Sequence, residues 1–163
     1  DVHTEVNEGT TFRVYLPQFA GEDAKTSEPK EERAPTGGNE TILLVEDEKA
    51  LRVTCRHFLR TLGYTFLVAA TPAEALNLAA QHSGDIHLLL TDVVMPEMDG
   101  QQLATQLKSS DPGLNVLYMS GYTADAVTDL GVDEDGVSFI GKPFSRDDLA
   151  RKLREILDEP AGL

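Results

Sequence analysis

From Glu40 onward the chain alternates short apolar runs with segments of helical periodicity, and this pattern limits the fold more than any other feature. Thr41 to Val45, Tyr64 to Val68, Ile86 to Thr91, Leu114 to Met119 and Val137 to Ile140 are each too brief for a helix and almost continuously apolar. A strand with one solvated face would alternate polar and apolar residues. A continuous run instead implies burial on both faces, which is the condition of a parallel sheet covered by helices. The pattern therefore predicts a doubly wound α/β sandwich of three layers around a five-stranded parallel sheet.

The intervening segments carry helix punctuation. Leu51, Cys55, Phe58, Leu59 and Leu62 recur at helical spacing, and Gly63 stands where a glycine would end that helix. Thr71-Pro72-Ala73-Glu74 reads as a capping box with proline at the first helical position. A third helix follows Gly100, and a weaker segment spans Thr123 to Leu130. The last begins at Ser145, with Leu149, Leu153, Ile156 and Leu157 on one face.

The first 17 residues end in Thr11-Phe12-Arg13-Val14-Tyr15-Leu16, which reads as one strand closed by Pro17. A strand needs partners, so this segment is expected to be part of something larger. Residues 18–39 shift to Glu, Lys, Pro, Gly, Ser and Thr and read as a flexible linker with a reach of about 25 Å. The expected division is 1–17, a linker at 18–39, a globular domain at 40–159 and a tail at 160–163.

The whole chain has 163 residues, of which 40% are hydrophobic, enough for one core. Its formal charge of −14 argues against a nucleic-acid surface, because phosphate neutralisation needs clustered Lys and Arg. No run approaches the roughly 18 to 20 apolar residues of a membrane helix, so no membrane contact is expected. The single cysteine, Cys55, lies on an apolar stripe and reads as a small hydrophobe. His3, His57, His82 and His87 are scattered and read as structural or exposed. Arg52, Arg56 and Arg60 share a helical face, either solvated or available for docking.

Ligands of open α/β sheets bind at the carboxyl ends of the strands. The first strand runs into Glu46-Asp47, the third into Asp92, the fourth into Ser120, and the fifth leads to Lys142. The second contributes nothing comparable, as expected of an edge strand in the order 2-1-3-4-5. Two carboxylates about 4 Å apart repel by roughly 4 kcal/mol at an effective dielectric of 20, so three converging ones call for a cation. An oxygen-only donor set with one lysine suits Mg²⁺. Aspartate can also attack phosphorus if the donor is held in line and its charge neutralised, and Asp92 is the best candidate on its central strand.

Leu44-Val45-Glu46-Asp47-Glu48, Thr91-Asp92 through Asp99-Gly100, Tyr118-Met119-Ser120-Gly121-Tyr122 and Gly141-Lys142-Pro143-Phe144 together resemble the signature segments of response-regulator receiver domains. The resemblance covers about Glu40 to Glu159 and implies the flavodoxin-like receiver fold. It implies Asp92 as phosphoacceptor in a two-component phosphorelay, taking its phosphoryl group from a kinase phosphohistidine. It further implies Mg²⁺ held by Glu46, Asp47, Asp92 and the Val94 carbonyl, and a functional lysine at Lys142. Ser120 is then the switch hydroxyl, Phe139 the switch aromatic, and Lys142-Pro143 a cis peptide. Glu46 stands where many members have aspartate, and Phe139 where many have tyrosine. Asn7 through Pro17 is similar to the closing strand of histidine-kinase ATP-binding domains. That likeness implies a hybrid sensor kinase as parent, a histidine kinase or histidine phosphotransfer protein as partner, and a cytoplasmic location with any membrane anchor elsewhere in the parent.

Other classes share parts of this pattern. A flavodoxin-like cofactor carrier would need a phosphate cradle after the first strand, where Glu46-Asp47 would repel the phosphate. An aspartyl-phosphate hydrolase typically has a second acid two residues after the nucleophile, where this chain has Val94. A module that binds partners without phosphorylation would not require the full set of acceptor, metal ligands and lysine.

Overall fold

The computed structural model describes residues 1–5, 9–15, 37–121 and 138–158. The chain divides into two compact units, Asp1–Glu32 and Arg33–Leu163.

In the first unit, β1 (Val2–Glu5) pairs antiparallel with β2 (Gly9–Phe12), with Val2 opposite Phe12 and Glu5 opposite Gly9. The single strand expected over Thr11 to Leu16 is thus corrected. The paired segment starts two residues earlier, and its partner is Val2-His3-Thr4-Glu5, too short and polar to read as a strand. Pairing closes the ends: the Asp1 ammonium donates to the Arg13 carbonyl and the Arg13 amide to the Asp1 carbonyl, both at 2.8 Å. Gly9 adopts φ 107°, a conformation that favours glycine. Leu16 and most of the expected linker lie outside the described residues.

In the second unit, β3 (Thr41–Val45), β4 (Thr65–Ala69), β5 (Leu88–Asp92), β6 (Asn115–Ser120) and β7 (Ser138–Gly141) form a sheet in the order β4-β3-β5-β6-β7. All of its pairings are parallel, and the order is the expected 2-1-3-4-5. Strand alternation sorts the core. Ile42 and Leu44 face one side, with Leu88, Leu90, Leu117 and Met119, and pack on α1 (Lys49–Thr61) and α4 (Arg146–Asp158) through Cys55, Leu59, Leu149 and Leu153. Leu43, Val45 and Leu89 face the other side and pack on α2 (Pro72–Gln81) and α3 (Gly100–Ser110) through Ala75, Leu103 and Leu107. Ile42, Leu43, Leu44, Leu88, Leu89 and Leu90 are fully buried. Truncating one such leucine to alanine costs about 2–5 kcal/mol.

The helix signals act as their chemistry requires. Gly63 takes φ 86° just past α1. Thr71 Oγ1 accepts from the Glu74 amide at 3.2 Å, while the Glu74 carboxylate reaches one residue further back, to the Ala70 amide at 2.7 Å. Asp99 and Gln102 form a complete capping box on α3, and Ser145 with Asp148 caps α4. The fourth helix expected near Thr123 to Leu130 lies outside the described residues.

Four of the strands end one residue later than the apolar runs suggest. The ladder carries main-chain pairing past the last apolar residue, as in Asp92 opposite Met119 and Ser120 opposite Gly141. Asp92 and Ser120 are therefore the last strand residues rather than loop residues.

Candidate functional site

The carboxyl ends of β3, β5 and β7 bring one charged group together. Glu46 follows β3, its amide donating to the Ala69 carbonyl at 3.3 Å, and it is only 1% exposed. Its Oε1 accepts from the Glu48 amide at 3.1 Å and its Oε2 from Lys142 Nζ at 3.0 Å. The same ammonium donates to Asp92 Oδ2 at 2.8 Å. Asp47 is exposed beside them, and Glu46, Asp47 and Asp92 each offer an oxygen within 4.8 Å of the others.

Three carboxylates face one ammonium, and the electrostatics follow that imbalance. Burial pushes the Glu46 carboxyl above its ordinary value, Lys142 only partly offsets this, and the Asp92 charge adds to the rise. Burial works to lower Lys142, yet its hydrogen bonds to Asp92 and Glu46 and their charges outweigh burial and hold it above its ordinary value. Burial sets the direction at Glu46, whereas the two neighbouring carboxylates set it at Lys142. An oxygen-only donor set with an uncompensated negative charge fits a hard divalent cation.

The backbone around Asp92 is held closely. A Cβ on Gly100 would lie 2.2 Å from the Asp92 carbonyl oxygen, so glycine alone lets α3 begin this near the strand end. The Gly100 amide donates to the Val93 carbonyl at 2.9 Å, and the Val93 amide to the Met119 carbonyl at 3.2 Å. Glu97, in the connecting loop, has φ 70°, a left-handed conformation uncommon outside glycine.

Glu46, Asp47, Asp92 and Lys142 thus come together as the sequence suggested. Ser120 is 3% exposed at the end of β6, and its carbonyl accepts from the Lys142 amide at 2.6 Å. The Lys142-Pro143 peptide is cis. Val94 lies two residues beyond Asp92 with its side chain 59% exposed. Phe139 stands apart from the charged group. It is half-buried on edge strand β7, where its ring stacks on Tyr118 at 5.4 Å and 28°. Cys55 is buried, with its thiol 3.9 Å from Met119 Sδ and pushed up to about 12 by burial, as befits a core residue.

Residues 42–154 match the model of the response regulator receiver domain. The chain belongs to that family. The chain is also 37% identical over 163 residues to the sensor kinase CckA of Brucella abortus (strain 2308), a match that covers 96% of this chain but only 17% of that protein. It resembles the crystal structure of the receiver domain from hybrid histidine kinase CckA, with a TM-score of 0.61 and 37% identity over 72% of this chain and 98% of that one. Its fold is shared by the response regulator TrrA from Thermotoga maritima, solved in complex with Mg²⁺ and BeF, with a TM-score of 0.59 and 24% identity over 71% of this chain and 97% of that one. The chain therefore carries a receiver domain of two-component signalling, and its sheet order and helical layers are those expected from the sequence. Among the described residues no helix is long and apolar enough to cross a membrane.

Arg52 was not legible as part of this site. Read from sequence as one of three arginines on a helical face, it instead turns back to the β3–α1 loop, where its Nη1 donates to the Glu46 carbonyl at 2.6 Å and the Asp47 carbonyl at 2.9 Å. The only signal was its position about one helical turn after the acidic pair. Arg56 and Arg60 remain exposed.

Proposed function

We propose that this receiver accepts a phosphoryl group on Asp92 from a phosphohistidine of a histidine kinase or histidine phosphotransfer protein. The observation that carries the reading is Lys142 Nζ bridging Asp92 Oδ2 and Glu46 Oε2 within a group of three carboxylates. In the transfer an Asp92 oxygen forms a bond to phosphorus, the histidine nitrogen-to-phosphorus bond breaks, and the leaving imidazole takes up a proton. Glu46, Asp47, Asp92 and the Val94 carbonyl would hold Mg²⁺, which when bound supplies positive charge to the phosphoryl oxygens. Lys142 contributes a second positive charge beside Asp92, and the Ser120 hydroxyl would donate to a phosphoryl oxygen.

Phosphorylation would then bias an equilibrium in which the Ser120 hydroxyl moves toward Asp92 and Phe139 rotates inward from its stack on Tyr118. Phe139 has no hydroxyl to satisfy on burial, so the inward state needs no hydrogen-bond partner. Likeness to the sensor kinase through the N-terminal segment supports a further reading. Residues 1–17 close a histidine-kinase ATP-binding domain, 18–39 link it to the receiver at 40–159, and the parent is a hybrid sensor kinase working from the cytoplasm. The carboxylates of Glu46 and Asp47 argue against a flavodoxin-like carrier.

Labelling with a small-molecule phosphodonor and Mg²⁺ tests the acceptor. Asp92→Asn should abolish base-labile incorporation while the domain stays folded, because an amide keeps the shape but cannot attack phosphorus. Beryllofluoride should shift the Phe139 ring and Ser120 amide NMR signals in the unsubstituted chain alone. Persistent base-labile phosphate on the variant would overturn the assignment.

A further inference from the structure

Arg52 lies in the first turn of α1, half-buried, and one guanidinium nitrogen donates to two consecutive main-chain carbonyls. Those carbonyls belong to Glu46 and Asp47, the residues whose carboxylates meet Asp92 at the strand ends. We propose that Arg52 is a positioning residue for the divalent cation, holding the β3–α1 loop so that these carboxylates converge. The proposal rests on the metal reading above.

The way α1 begins supports this independently. α2, α3 and α4 each start on a side-chain cap, from Thr71, Asp99 and Ser145. α1 does not, because its N-cap residue Glu48 makes no side-chain cap hydrogen bond. The loop is fastened to the helix by the Arg52 side chain, by the Arg52 amide donating to the Glu48 carbonyl at 2.9 Å, and by Glu46 Oε1 accepting from the Glu48 amide at 3.1 Å. Hydrogen bonds with an ionised donor or acceptor are roughly twice as strong as neutral ones, so the guanidinium and the Glu46 carboxylate are the strong ties, and the guanidinium alone makes two.

Charge and positioning predict opposite signs. Coulomb's law alone makes a fixed cation beside a divalent-cation site unfavourable, so removing it should tighten Mg²⁺ binding. A positioning role makes removal weaken binding, because the loop loses the geometry in which the carboxylates converge. Partners that orient metal ligands from behind are typically worth about 10–100-fold in affinity.

The experiment is a calorimetric Mg²⁺ titration of the full chain, of Arg52→Gln and of Arg52→Lys, with amide NMR of the metal-free proteins. Arg52→Gln should weaken Mg²⁺ about tenfold. Arg52→Lys should weaken it by a smaller factor, since an ammonium keeps the charge but sits on a shorter side chain that does not place a nitrogen where Nη1 meets both carbonyls. The Glu46 to Glu48 amide signals should shift or broaden, while those around Arg154 stay fixed. Saturable binding by the unsubstituted chain with equal or tighter binding in Arg52→Gln would overturn the positioning role and leave the metal reading intact. If Arg52→Gln fails to fold, Arg52→Lys decides, and unchanged affinity there overturns the proposal. No saturable binding by the unsubstituted chain would overturn the metal reading and this proposal together.

Discussion

The two ends of β3 hold two ion-pair clusters built on opposite principles. At the carboxyl end three carboxylates converge and one lysine pairs with two of them, Glu46 and Asp92. At the amino end Arg154 Nη2 meets Glu40 Oε1 at 2.5 Å and lies 3.5 Å from Asp158 Oδ1, with the guanidinium carbon 5.7 Å from the centre of the Tyr64 ring. Burial works to raise the Glu40 carboxyl, but the Arg154 hydrogen bond and charge, with main-chain hydrogen bonds, outweigh it and hold Glu40 below its ordinary value. At the other end burial wins and Glu46 rises. Similar groups flanking one strand are thus pushed in opposite directions. A guanidinium that pairs with both acids beside it spends its electrostatics on the folded state, whereas an ammonium that pairs with two of three carboxylates leaves negative charge that a cation can satisfy.

The largest effect expected from this contrast is at Asp47. Asp47→Ala should weaken Mg²⁺ by more than the roughly 100-fold that losing an outer partner can cost, while the metal-free domain becomes more stable as repulsion is relieved. Calorimetry and thermal unfolding without metal check both, and unchanged Mg²⁺ affinity would end the contrast. Next in size is Glu40→Gln, which should cost about 1–3 kcal/mol of stability by leaving half-buried Arg154 with only the longer pair to exposed Asp158, yet leave Mg²⁺ affinity unchanged. That cost should depend on pH with a definite sign. A carboxyl held below its ordinary value of 4.5 contributes stability that is full above that value and lost as pH falls through the lowered one. Denaturant unfolding of both proteins should therefore show the gap closing in acid, and a gap constant with pH would contradict it.

The smallest effect concerns the arginines on α1, one engaged at the site and the others exposed. Arg56→Glu should slow phosphotransfer severalfold at low salt and less at high salt, because exposed charges steer partners and are screened. Measuring transfer rates across ionic strength checks this. A rate equal to the unsubstituted chain at every salt concentration would make Arg56 part of a solvated face.

Much of the receiver was readable before any coordinates, since buried parallel strands announce themselves as unbroken apolar runs. Glu46, Asp47, Asp92 and Lys142 stand where such strands end, so the site could be assembled from strand ends alone. The N-terminal hairpin was less legible, because Val2-His3-Thr4-Glu5 becomes a strand only through pairing and carries little apolar pattern. The pair between Glu40 and Arg154 was invisible for another reason. They are 114 positions apart, and nothing in either neighbourhood marks the other.

The sequence by itself determined the five-stranded parallel sheet, its order and the identity of the acidic group, because hydrophobic periodicity and strand-end chemistry are local signals. Tertiary structure alone decided that Arg52 turns back to the Glu46 and Asp47 carbonyls rather than outward, that Phe139 stacks on Tyr118, and that Glu40 pairs with Arg154. The physical reason is register. Which side chain meets which depends on how ladders align and helices rotate in packing, and a one-residue shift in a strand exchanges every inward group for an outward one.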